Sequence, residues 1–145
     1  MSAQMRIARL HRVRGHERSA ASSRLQEAIQ ALCEAQAAAQ ATRQAREAAE
    51  QAAAAAGMEP QTADRWLSQR ALVEGRLERE RLADLQVRRL GRQEALRRVD
   101  LRAALVREEQ MRLLGSQILE RRQDAAQRTE QKTLDDLRRE GGGGR

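Results

Sequence analysis

One short segment, residues 56–62, is the only clear break in a sequence that otherwise favours helix from end to end. Gly57 stands where a helix commonly ends, and Pro60, the only proline, is tolerated in the first turn of a following helix but not in a helix interior. The break therefore predicts two helices. We place them at about residues 4–56 and 62–140, joined by a turn at 57–61.

Both predicted helices carry small or apolar residues at the three- and four-residue spacing of a coiled coil. The chain has no Phe or Tyr and a single Trp, so it lacks the aromatic side chains that supply much of a compact core. In helix 1 the predicted contact positions are Leu25, Ala28, Leu32, Ala35, Ala39, Thr42, Arg46, Ala49, Ala53 and Ala56. In helix 2 they are Leu82, Leu85, Arg89, Arg92, Leu96, Val99, Ala103, Val106, Gln110 and Leu113.

The short connection makes each helix the nearest partner of the other, and such a connection joins antiparallel neighbours. The predicted fold class is all-α, a long antiparallel two-helix coiled-coil hairpin forming a single domain at residues 1–140. A turn centred near residue 59 places Leu32 opposite the region of Leu85. Residues 141–145, four glycines and an arginine, are expected to form a flexible tail.

Helix 2 also contains acidic residues four positions before arginines, the order that stabilises a helix by about 0.2–0.5 kcal/mol per ion pair. These expected pairs are Asp84–Arg88, Glu94–Arg98, Glu108–Arg112, Asp124–Arg128 and Asp135–Arg139.

No residue pattern in the sequence indicates catalysis, a metal site or a cofactor. His11 and His16 are five positions apart, which is the wrong spacing for one face of a helix, and no cysteine or carboxylate set completes a metal site. Cys33 has no histidine near it in the sequence and is expected to point outward. Two pairs of adjacent acids in helix 2, Glu108-Glu109 and Asp135-Asp136, are expected to be exposed to solvent. They would then lack the apolar pocket that shifts the pKa of a catalytic acid. We predict that the chain is not an enzyme.

The charge balance favours an anionic partner. The chain has 28 basic and 21 acidic residues, a net charge of +7, and Lys132 is its only lysine. Arginines concentrate at residues 6–18 and 88–102, and docking to an acidic surface is one reading of both clusters; a solvated helix face is the other. The chain lacks the aromatic residues and recognised modules of most nucleic-acid-binding proteins, so nucleic acid is not expected. No run is apolar enough to predict membrane insertion, and a single cysteine fits a reducing compartment.

Trp66 follows the predicted turn directly, with Leu67 and Arg70 beside it. One interpretation is that Trp66 closes the neck of the hairpin as a contact residue between the helices. The other is that it anchors a partner, since Trp and Arg are enriched at the energetic centres of protein interfaces.

A chain of about 145 residues with a basic N-terminal helix, one break near residue 58 and a longer charged second helix resembles the FliJ/YscO family. These proteins are the small coiled-coil stalks of flagellar and type III secretion export apparatus, and the Arg- and Ala-rich composition is similar to that of Hrp-type members. The resemblance implies a non-catalytic, cytoplasmic stalk at the base of the secretion apparatus. It would couple the hexameric secretion ATPase to the cytoplasmic ring of the export gate, and secretion chaperones are further candidate partners.

In that family the end with both termini enters the ATPase ring, and the other end reaches toward the export gate. The resemblance therefore implies gate-facing residues at Trp66, Leu67 and Arg70. The candidate ATPase-facing residues are Arg6, Arg9, Arg12, Arg14, Arg121, Arg122 and Arg128. The alternatives from other functional classes are a basic coiled-coil nucleic-acid-binding protein and a homo-oligomeric scaffold.

Overall fold

A computed structural model describes residues 2–142, which form two long α-helices and contain no strand. Helix α1 spans Ala3–Ala56 and α2 spans Ala63–Gly141. The two helices pack against each other, which confirms the all-α helical hairpin. Of the predicted tail, Gly141 is the last residue of α2 and Gly142 lies in a turn; residues 143–145 lie outside the described part of the chain.

The connection between the helices is closed by backbone and side-chain hydrogen bonds. The amide of Gly57 donates to the carbonyl of Ala53 at 2.9 Å and so completes the last turn of α1. At the start of α2, the hydroxyl of Thr62 accepts a hydrogen bond from the amide of Arg65 at 3.3 Å. Thr62 is therefore the N-cap of α2, because it satisfies an amide that has no partner inside the helix. Pro60 lies in the connection, before this cap, rather than in the helix.

The described chain divides into two compact units. Unit 1 is formed by Met1–Ser19 and Arg102–Arg145, and unit 2 by Ala20–Leu101. Each unit contains a stretch of α1 and a stretch of α2. In unit 1 the contacts pair Ile7 with Gly115 and Arg18 with Glu108, so the two helices run in opposite directions.

No large side chain of residues 2–142 is fully buried. Among residues 2–142 only Ala21, Ala39 and Ala104 are buried, at 8, 6 and 4% exposure. The partly buried residues of α1 fall on the predicted spacing, and every predicted contact position of α1 is buried or half-buried. This part of the prediction is confirmed. Alanines suit the seam because they let the two backbones approach closely, although each buries less area than leucine.

The predicted contact positions of α2 are wrong by two residues. Nine of those ten positions are exposed, Leu85 at 51% and Leu96 at 64% among them. In unit 2 the half-buried positions of α2 instead include Val73, Glu80, Ala83, Val87, Leu90 and Glu94. In unit 1 the buried and half-buried positions include Ala104, Glu108, Met111, Gly115 and Ile118.

The seam that forms places glutamates of α2 against arginines of α1. Arg46 occupies a contact position of α1, and the predicted register would have set it near Leu72. In the structure Arg46 pairs with Glu80, about two helical turns farther along α2. This register gives Arg46 a carboxylate from α2 in addition to Glu50 of its own helix, while the more apolar positions of α2 stay exposed.

The same interhelical pairing removes acids from the expected pairs within α2. Glu108 pairs with Arg18 at 2.7 Å, and Asp84 lies 3.8 Å from Arg43. Only Glu94–Arg98 forms as predicted among the five expected pairs. Arg112 pairs with Glu109 instead, at 2.6 Å.

Candidate partner-binding surfaces

The strongest polar arrangement in unit 2 is a cluster in which two arginines of α1 meet one glutamate of α2. Arg46 Nε donates to Glu80 Oε2, and Arg46 Nη1 donates to Glu50 Oε2 at 2.7 Å. Arg43 Nε lies 3.4 Å from Glu80 Oε1. The side chains of Arg46 and Glu80 are only 19 and 13% exposed. The cluster therefore sits at the contact between the helices.

The electrostatics of this cluster indicate a structural role. The hydrogen bond from Arg46 to Glu80 lowers the pKa of Glu80, and the same bond raises the pKa of Arg46. Glu80 is thus held as a carboxylate with its oxygens occupied by arginines. A general acid or base needs the opposite, a pKa moved toward neutrality and a free oxygen. The same reasoning applies in unit 1 to Glu109, whose pKa is lowered by its hydrogen bond with Arg112.

The seven arginines predicted to face the ATPase all lie in unit 1. Arg6, Arg9 and Arg12 are exposed on α1, and α2 contributes the three exposed residues Arg121, Arg122 and Arg128. Arg14 differs from them, since it is half-buried and pairs with Glu17 at 2.8 Å. The structure therefore groups six of these cations on exposed surface of one unit and leaves the seventh compensated.

Unit 1 also contains an apolar groove that the sequence patterns did not reveal. The groove has a volume of about 580 Å³ and lies between α1 and α2. Ile7 and Ala8 line one side, and Met111, Ile118 and Leu119 line the other. It is open because Gly115 and Ala8 stand where larger side chains would fill the space. The sequence indicates the groove only through these two small residues, which lie opposite each other on the two helices.

The predicted gate-facing residues are all in unit 2 and all exposed. Trp66 is 48% exposed and Leu67 55%, so Trp66 is not a closed contact between the helices. The guanidinium carbon of Arg70 lies 5.4 Å from the centre of the Trp66 ring, a cation–π contact. Both side chains line a cleft of about 290 Å³ together with Gln61 and Val73. Gln61 Oε1 is buried there and accepts no hydrogen bond from the described residues.

The described residues form no cluster of three or more histidine, cysteine or acidic side chains that would hold a metal ion. Cys33 is exposed, as its position one residue after Leu32 predicted. Neither α1 nor α2, within residues 2–142, has the length of apolar sequence that a bilayer crossing requires. Comparison with protein families, with curated proteins and with solved structures finds no match to this chain.

Proposed function

We propose that the chain is a non-catalytic stalk component of a type III secretion system, which couples the hexameric secretion ATPase to the export gate in protein export. The observation that carries the proposal is the helical hairpin whose unit 1 joins the start of α1 to the end of α2 and exposes arginines from both. That arrangement fits the resemblance in length, break position and charge to the FliJ/YscO family. Its place would be cytoplasmic, at the base of the secretion apparatus.

The mechanism would need no chemistry from this chain. A ring of identical subunits that contacts an asymmetric pair of helices meets a different surface at each subunit. A ligand shifts a conformational equilibrium only through different affinities for the two states, and unequal contacts provide that difference. The exposed arginines of unit 1 are suited to this role, because charged contacts can form and break without loss of a packed core.

The ATPase arm of the proposal is tested by adding the purified chain to the secretion ATPase and measuring both binding and ATP hydrolysis. We expect stimulation by the unaltered chain and loss of stimulation in Arg6→Glu/Arg9→Glu and in Arg121→Glu/Arg122→Glu. The matched control is Arg24→Glu/Arg65→Glu, which makes the same charge change at two exposed arginines of unit 2. Absence of both binding and stimulation by the unaltered chain would refute the ATPase arm.

The gate arm is tested separately with the cytoplasmic domain of the export gate. Leu67 and Leu72 are both exposed, at 55 and 53%, which makes their alanine variants a matched pair. If the cleft beside Trp66 meets the gate, Trp66→Ala and Leu67→Ala weaken capture of the gate domain and Leu72→Ala does not. Equal capture of all variants would contradict these gate-facing residues while leaving the ATPase arm intact.

A further inference from the structure

The outward face of α2 in unit 2 combines exposed apolar side chains with arginines that lack acidic partners. Leu82, Leu85, Leu96 and Val99 follow coiled-coil spacing and are 57, 51, 64 and 59% exposed. We call these residues, together with Arg81, Arg88, Arg89 and Arg92, the outer face of α2. It covers about 26 Å of helix between residues 82 and 99.

The spacing on this face is that of a contact seam rather than of a solvated surface. Arg89 and Arg92 continue the sequence of seam positions between Leu85 and Leu96, three and four residues apart. A seam of this spacing buries its apolar residues only when another helix lies along it, and α1 lies along a different set of α2 residues. A shallow cleft of about 380 Å³ adjoins the face, and Glu80 and Asp84 line it together with Leu77, Leu85, Arg81 and Arg88.

The arginines of the outer face form no ion pair with a described carboxylate. The only carboxylates between residues 81 and 99 belong to Asp84 and Glu94. Asp84 lies 3.8 Å from Arg43 of α1, and Glu94 pairs with Arg98. No described carboxylate lies within 4 Å of Arg81, Arg88, Arg89 or Arg92. The face therefore presents Arg89 and Arg92 within an apolar stripe, and Arg81 and Arg88 at the edge that adjoins Glu80 and Asp84.

Arginines at contact positions between α1 and α2 are paired with glutamates of the facing helix. At the contact between α1 and α2, Arg46 is met by Glu80 in unit 2, and Arg18 is met by Glu108 in unit 1. Each case places a glutamate of one helix opposite an arginine at a contact position of the other. By the same rule, the occupant of the outer face would carry acids opposite Arg89 and Arg92.

A second copy of this chain, using the same face, does not meet that requirement. In a symmetric antiparallel contact centred between them, Arg89 of one copy would face Arg92 of the other. In a parallel contact each arginine would face its own counterpart. Both arrangements bring like charges together at the centre of the interface, which is destabilising. Self-association through this face is therefore disfavoured.

From these observations we infer that the outer face of α2 in unit 2 is a docking surface for an amphipathic helix of a different protein, with apolar residues at heptad spacing and acidic residues in its central heptad. Leu82, Leu85, Leu96 and Val99 contact the apolar residues of that helix. Arg89 and Arg92 pair with its central acids, and Arg81 and Arg88 with acids at its edge. The inference does not depend on the proposed stalk function.

The test measures binding of two synthetic helical peptides to the full chain by fluorescence anisotropy at physiological salt. The acidic peptide has Leu at its heptad contact positions and Glu at the two central ones, with further Glu at its edges. The reference peptide is identical except that Gln replaces the two central Glu. We expect the acidic peptide to bind at least about tenfold more tightly than the reference peptide.

Variants of the chain locate the binding. We expect Arg89→Glu/Arg92→Glu to weaken the acidic peptide at least about tenfold, and Leu85→Ala/Leu96→Ala to weaken both peptides. The matched control Arg24→Glu/Arg65→Glu has the same net charge and should bind within about twofold of the unaltered chain. Circular dichroism establishes that each variant keeps its helix content, and Arg89→Gln/Arg92→Gln replaces the charge-reversed variant if that one unfolds.

Several results would overturn the inference. Equal binding of the two peptides would show that Arg89 and Arg92 do not select acids, and failure of both to bind would show that the face does not dock a helix. Vesicles of phosphatidylcholine with phosphatidylglycerol, and a single-stranded RNA, are measured in parallel. Binding to either of these that is lost in Arg89→Glu/Arg92→Glu, without binding of the acidic peptide, would assign the face to a membrane surface or to nucleic acid.

Discussion

Replacing Gly115 by alanine tests how α1 and α2 are aligned in unit 1. A Cβ atom at Gly115 would lie 3.7 Å from Ile7 Cγ2, an ordinary van der Waals distance, and no described glycine has a positive φ that alanine would strain. The exchange of glycine for alanine in a helix interior contributes about 1 kcal/mol. The new methyl group against Ile7 adds part of the roughly 0.8 kcal/mol of a fully buried methylene. We therefore expect Gly115→Ala to stabilise unit 1 by about 1–1.5 kcal/mol.

The free energy of unfolding is measured by urea titration followed by circular dichroism, with thermal melting as a second readout. A gain of this size corresponds to a rise in melting temperature of about 3–6 °C for a chain of this length. The control is Gly75→Ala, because a Cβ there meets nothing within 4 Å and the gain should be the helix-propensity contribution of about 1 kcal/mol alone. Repeating Gly115→Ala in an Ile7→Ala background isolates the contribution of the contact.

Loss of stability in Gly115→Ala would refute the reasoning, because it would mean that a side chain or backbone closer than Ile7 occupies this space. A gain that is equal in the presence and absence of the Ile7 side chain would likewise show that the two residues do not face each other. The alignment of the helices in unit 1 would then be wrong.

Three further predictions concern unit 2. Thr62→Ala removes the cap from the amide of Arg65 and should lower the free energy of unfolding by about 1 kcal/mol in urea titrations; an unchanged midpoint would contradict the cap. Gly57→Ala should be neutral or stabilising by up to about 1 kcal/mol, since the φ of Gly57 is not positive, and a clear loss in the same assay would contradict this. Because the hydrogen bond from Arg46 lowers the pKa of Glu80 below its ordinary 4.5, the stabilisation from this pair is complete above that pH and is lost as the pH falls through the folded-state pKa. Glu80→Gln should therefore reduce stability at pH 7 and flatten its decline between neutral and acid pH; an identical acid profile for both proteins would show that Glu80 is not the group responsible.

The positions of the break and of the α1 contact residues could be predicted because local chemistry determines them. A glycine followed three residues later by a proline, as at Gly57 and Pro60, ends one helix and precedes the next. The leucines and alanines of α1 fall on a single face, so that face is the one expected to contact α2. Leu25 and Leu32 are both half-buried at the expected spacing. Neither inference required knowledge of the partner helix.

The contact positions of α2 could not be predicted by the same method, because α2 has two candidate seams two residues apart. One carries Leu82, Leu85 and Leu96, and the other carries more charge and more alanine. Choosing the more apolar seam ignores what the facing helix presents. The seam that forms lets Glu80 meet Arg46, and that pairing is visible only when both helices are considered together.

The candidate surfaces were partly accessible from sequence. Clusters of arginine are evident in the printed chain, but whether an arginine is available to a partner depends on its neighbours. Arg14 is occupied by Glu17, whereas Arg88 forms no ion pair with a described carboxylate because its expected partner Asp84 turns to Arg43. The apolar groove beside Ile7 depends on two small residues meeting across the helices, which no single-helix pattern reveals.

The far end of α2 has a consequence for experiments on the whole molecule. From Glu120 to Gly142 every residue is exposed, so little tertiary packing supports this stretch of helix. An unsupported helix of this length in water interconverts readily with coil. Its amide protons should exchange with deuterated solvent far sooner than those around Ala39, and a bound partner would slow that exchange locally. Hydrogen–deuterium exchange would thus report occupancy of this segment directly, without any label or substitution.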